Sequence, residues 1–195
     1  MASGRRSGGW LSAVLVVVAA IMVAIPPRGA AAGSPRTGAR EPKPAFRGTL
    51  DPSTRFLVGQ ALDGALGRLD TPACQAVFGD FSDGSGRPLD RVLDESGYSG
   101  SSSLRLVFFA DGAAHPHCQS GMVGAFTSPG SRVVHVCPVA VRRLSRLDPA
   151  LVEVLLVHEL LHTLGLHENP PTPDEIDARV ESRCLARRHA GLSAR

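Results

Sequence analysis

Residues 150–164, ALVEVLLVHELLHTL, constrain this chain more than any other stretch. They are good helix formers, preceded by Asp148 as N-cap and Pro149 at the first helical position and followed by Gly165 as a stop. Apolar residues occupy almost every side, so the predicted helix must lie at the centre of a core and not on its surface. Yet it also carries His158, Glu159 and His162. At about 100° per residue, the two histidines fall one turn apart on nearly the same face, with the glutamate beside them. Desolvating three such groups is costly without a compensating partner.

That partner is expected to be a metal. Two neutral imidazoles at this spacing can converge on one Zn²⁺, and the ion lowers the pKa of water from 15.7 to about 7. The adjacent carboxylate then accepts the proton, which makes His158 and His162 candidate ligands and Glu159 the candidate catalytic base. A third ligand is still needed. Glu168 and His167 both follow the turn at Gly165, and Glu181 lies 18 residues past His162 on a later predicted helix. All three are chemically able to bind zinc.

The string from His158 to Glu168 (HELLHTLGLHE) resembles the zincin metallopeptidases, and specifically the metzincin pattern H-E-x-x-H-x-x-G-x-x-H/D. The resemblance implies that Gly165 turns the chain sharply and that the residue three positions on, Glu168, returns as third ligand. It also implies peptide-bond hydrolysis, with substrate bound as an added strand at a sheet edge. A thermolysin-like arrangement would use Glu181 instead. The longer string HELLHTLGLHENPP is similar to that of small secreted bacterial proteins grouped with the metallopeptidases. The chain departs from the metzincin pattern in having Glu where His or Asp is usual, and no methionine follows Met122 to form the family's methionine turn.

The rest of the sequence fits an exported protein. Arg5 and Arg6 precede an apolar run from Leu11 to Ile25 and then Ala30, Ala31 and Ala32, the pattern of a cleavable signal peptide over 1–32. The run is shorter than the roughly 20 residues of a membrane-spanning helix, so no lasting anchor is expected. Three basic residues leave with it, and the remaining 163 carry 18 basic and 18 acidic side chains. Balanced charge of that kind gives no nucleic-acid footprint. Cys74, Cys118, Cys137 and Cys184 make an even set that predicts two disulfides. Cys118–Cys137 would bracket a hairpin, and Cys74–Cys184 would tie an early segment to the last helix. A four-cysteine zinc site lacks the close C-x-x-C spacing it needs.

Residues 33–50 are rich in Pro, Gly and Arg and read as a flexible leader, with the folded domain occupying 51–195. Within it, Asp51-Pro52 opens a first helix reaching about Arg68, a helical turn spans Leu89 to Glu95, and Ser99 to Ser103 form a loop. Strands are expected at Leu104–Ala110, Met122–Phe126 and Arg132–Cys137, the last two as a hairpin across 127–131. Thr172-Pro173-Asp174-Glu175 is a capping box opening the final helix. His115 and His117 read as a surface loop pinned by Cys118, with a second metal as the competing role. Tyr98, His135 and His189 carry no motif that assigns them chemistry.

Together these readings predict a mixed α/β zincin-like domain with a small mixed sheet, an active-site helix, a C-terminal helix and two disulfides. The function they predict is that of a secreted, monomeric zinc metallopeptidase acting on peptide or protein substrates. An exported zinc-binding module without turnover, and a zinc amidase acting on cell-wall peptides, are the alternatives.

Overall fold

The buried helix at the centre is α7 (Pro149–Thr163), and the other elements are arranged around it. The computed structural model describes residues 42 and 44–185, so the expected signal peptide, most of the leader and His189 lie outside the described residues. Asp148 caps α7 by accepting from the Ala150 amide at 2.9 Å. Val157, Leu160 and Leu161 are completely buried within one apolar core.

Helix α1 (Pro52–Leu69) lies against α7 and contributes Val58, Leu62, Ala65 and Leu69 to that core. The two helices approach closely at Gly64, where a Cβ would sit 2.5 Å from the Glu153 carboxyl carbon. Glu153 pairs with Arg68 of α1, whose guanidinium also donates to the Cys184 carbonyl at 2.9 Å. One arginine therefore links α1, α7 and the end of the last helix.

Two short elements, α2 (Pro72–Gln75) and a 3₁₀ turn at Ala76–Asp80, lead to α3 (Leu89–Ser96), the helical turn anticipated there. The next segment differs from expectation. Ser99–Ser103 was expected to be a loop, but Ser99 accepts from the Ser102 amide and caps α4 (Gly100–Arg105), so the polar run starts a helix instead of bridging two elements. Leu104 is the buried end of that helix, and the strand β2 begins only at Phe108 (Phe108–Asp111).

The sheet has four strands in the order β1-β2-β4-β3. β1 (Ala45–Arg47) falls inside the stretch expected to be a flexible leader and pairs in parallel with Phe108–Ala110, so folded structure starts before Asp51. β2 pairs in parallel with β4 (Val133–Val136). β3 (Ala125–Phe126) pairs antiparallel to β4 and forms the edge, as the predicted hairpin requires, although both of its strands are shorter than anticipated. Alternation turns Phe109, Val134 and Val136 into the core and leaves His135 on the opposite face.

After α5 (Pro116–Gln119), β3 and β4 comes α6 (Pro138–Leu147), for which the sequence reading assigned no element, and it leads directly into α7. The last helix, α8 (Pro173–Cys184), has the anticipated capping box: the Glu175 amide donates to Thr172 Oγ1, and the Thr172 amide donates back to the Glu175 carboxylate. Both disulfides form as expected, Cys74–Cys184 and Cys118–Cys137. No helix among the described residues is long and apolar enough to cross a membrane.

Candidate metal centre

The geometry that brings the site together begins with the end of α7. Gly165, at φ 106°, occupies the position after the helix cap. Its amide donates to the His162 carbonyl and the Leu166 amide donates to the Leu161 carbonyl, the paired bonds of a Schellman ending. Leu166 is buried beside Leu161, which anchors the returning chain. Two residues later the Glu168 carboxylate reaches the histidines. An alanine at 165 would be forced into a backbone region that side chains avoid, and its Cβ would lie 3.1 Å from Asp83 Cβ. Gly165→Ala is therefore expected to cost about 1–3 kcal/mol in thermal or urea unfolding.

His158, Glu159 and His162 are almost fully buried. His158 Nε2 and His162 Nε2 stand 2.9 Å apart, and Glu168 Oε1 lies 3.1 Å from the latter and 3.5 Å from the former. The outer nitrogens fix the tautomers. His162 Nδ1 lies 2.8 Å from the Leu166 carbonyl, which can only accept, so that nitrogen carries the proton. His158 Nδ1 lies 2.7 Å from Asp177 Oδ1 of α8, and an ionised carboxylate can likewise only accept. Each neutral ring therefore presents a bare Nε2 lone pair inward, and the two face each other beside a carboxylate oxygen.

Three converging acceptors repel one another unless a positive charge lies among them. These three residues can hold a metal ion. Donors about 2.0–2.1 Å from a tetrahedral zinc stand about 3.4 Å apart, and the observed separations bracket that value. A proton on His158 is one such positive charge, and it competes with an ion for the site. Burial works against a charged His158, but Asp177, Glu159 and Glu168 together raise it above the ordinary imidazole range. Burial, with the neighbouring His158, holds His162 below that range.

Glu159 is the remaining piece. Its Oε2 is buried with no hydrogen-bond partner among the described residues, and burial pushes the carboxyl up to about 7. An acceptor oxygen left without a protein partner is available to receive a proton from a water.

The donors lie on the floor of a cleft of about 670 Å³. The edge strand β3 and the loop after it line one side, and Pro173, Asp174 and Asp177 of α8 line the other. The loop is tied to the site, since the Gly130 amide donates to the His162 carbonyl at 2.8 Å. His115 and His117 also line this cleft, packed against Phe126 with ring centroids 4.4 and 5.1 Å from its own. The surface loop anticipated for them is instead the cap and single turn of α5, pinned by Cys118, and it forms a wall of the candidate site.

The rival third ligands lie elsewhere. His167 faces away and rests on Gly84, where a Cβ would come within 2.7 Å of its Nε2, beside a larger cavity of about 830 Å³ that contains none of the three donors. Glu181 is exposed one turn beyond Asp177 and belongs to no metal-binding group among the described residues. Arg183, two residues on, pairs with Asp80 through two contacts of 2.8 Å. Tyr98 is exposed and is not part of the cleft lining. His135 stacks on Phe126 from the neighbouring strand.

Sequence reading missed Asp177. No local pattern marks it, because its role depends on how α8 is rotated against α7. No protein-family model, curated protein or solved structure matches the chain.

Proposed function

We propose that this chain is a secreted zinc metallopeptidase of zincin-like build, with His158, His162 and Glu168 as ligands and Glu159 as general base. The observation that carries the reading is the convergence of two bare Nε2 atoms and a carboxylate beside the unpaired, buried Glu159 Oε2. Zinc is favoured because two imidazoles and one carboxylate, with room left for substrate, make the donor set of catalytic zinc sites. The two disulfides suit an oxidising compartment, in keeping with the export signal in the sequence.

Bound zinc would acidify a water and polarise the scissile carbonyl. The residues of this chain do the rest. A peptide lies along the free edge of β3, its main chain pairing with Ala125 and Phe126 as an added strand and its scissile bond over the histidines. Glu159 takes a proton from the attacking water as the new C–O bond forms. It then delivers that proton to the leaving nitrogen as the C–N bond breaks, which balances the hydrolysis. The Leu166 carbonyl holds the His162 imidazole in the ligating tautomer throughout.

Incubating the purified protein with a denatured protein and with cell-wall fragments, each with and without chelator, tests this reading. Cleavage of the denatured protein that stops with chelator and returns with zinc is the expected result. Cleavage of the fragments alone would replace peptidase with amidase, and zinc uptake without any turnover would replace both with a binding module.

The ligand set is tested separately. Glu168→Ala is expected to weaken zinc binding by at least about a hundredfold, while Glu181→Ala and His167→Ala leave it unchanged in a chelator-competition titration.

A further inference from the structure

We infer that Asp177 is a positioning residue of the metal centre, so that helix α8 is a working part of the site and not only a cover for it. The inference rests on the zinc reading above and goes beyond its ligand list.

His158 and His162 are oriented by different means. His162 donates to a backbone carbonyl of its own returning chain, Leu166, and that carbonyl arrives with the Schellman turn. His158 has no such backbone partner among the described residues. Its Nδ1 meets a side chain from another helix, Asp177 Oδ1, at 2.7 Å. A carboxylate there fixes the Nδ1–H tautomer, sets the ring plane and adds negative charge behind the ligand, which makes Nε2 a stronger donor.

The placement of Asp177 is decided by contacts that lie away from the donors. Ile176 and Val180 are completely buried and fix the rotation of α8, which brings Asp177 round to His158. The capping box holds the start of the helix. The Cys74–Cys184 disulfide and the Arg183–Asp80 pair hold its end. The carboxylate is therefore in position before any ion arrives, and its side chain remains about half exposed at 49%, so its other oxygen can stay hydrated. Asp174, three residues earlier on the same helix, lines the cleft but makes no contact with either histidine among the hydrogen bonds and ion pairs of the described residues.

The test is a zinc titration against a competing chelator for wild type, Asp177→Ala, Asp177→Asn and Glu181→Ala, with thermal melting of the metal-free proteins and the visible spectrum of their cobalt forms. Asp177→Ala is expected to bind zinc about 10–100-fold more weakly, with a changed cobalt spectrum. Asp177→Asn keeps an acceptor oxygen and should recover part of that loss. Glu181→Ala removes the same charge from the same helix and should match wild type. Should Asp177→Ala unfold, the Asp177→Asn titration decides alone, with wild-type affinity and spectrum counting against the inference. Equal affinity in wild type and Asp177→Ala overturns it, as does an equal loss in Glu181→Ala. Wild type that takes up no zinc overturns the underlying reading as well, and the first titration in the series shows which has failed.

Discussion

Glu159→Gln is expected to keep its zinc and lose about 10²–10⁴ in kcat, the range attributed to a positioned acid–base group. Glutamine has nearly the same shape and will fill the same buried space, but its amide cannot take a proton from water. Because Glu159 is not among the three converging donors, removing its charge should leave the ion in place. The structure also makes this substitution easy to accommodate. Oε2 has no partner to lose, and burial already favours the neutral acid, so a neutral amide costs no more to enclose. Metal content and steady-state kinetics on the same preparation check the result. An enzyme with full zinc and unchanged turnover would remove Glu159 from the reaction.

The second large effect concerns stability. Cys74–Cys184 closes a loop with a sequence separation of 110, against 19 for Cys118–Cys137. On chain-entropy grounds, the long loop contributes about 4–5 kcal/mol and the short one about 3 kcal/mol. Replacing Cys74 and Cys184 together by serine should therefore lower the melting temperature by roughly 10–15 °C, more than the same change at Cys118 and Cys137. The loss should also reach the metal centre, since Cys184 ends the helix that carries Asp177, and its carbonyl receives Arg68. Calorimetry of both double variants in the metal-free state checks the order, and the reverse order would contradict it.

How much of this could be read beforehand depended on how local each determinant is. Helices α7 and α8 were legible because their signals lie within a few residues: Asp148-Pro149, the Gly165 stop, and Thr172 facing Glu175. The three converging donors were legible for the same reason, since one helix and one turn place His158, His162 and Glu168, although His167 and Glu181 stood as rivals for the third position. Serine at 99–103 misled, because a Ser/Gly run serves equally as a loop or, with Ser99 as cap, as a helix start. Helix α6 is readable in hindsight from Pro138 at its first position and the apolar Ala140, Val141 and Leu144 at helical spacing.

The parts that resisted are non-local. β1 has three residues, and only its partner Phe108–Ala110 makes it a strand. The closeness of His115 and His117 to the candidate metal centre depends on Phe126 from the edge strand, and Asp177 depends on the packing of α8. No sequence spacing encodes those distances, because each is set by how separate elements dock in the common core.

The central claim is that one ion is held between two imidazoles and a returning carboxylate. X-ray absorption at the zinc edge of the zinc-loaded protein tests it most directly. The account predicts a single class of zinc with two imidazole nitrogens at about 2.0–2.1 Å, oxygen as the remaining ligands and no sulfur. Fewer than two imidazoles, or a sulfur in the first coordination sphere, would contradict it.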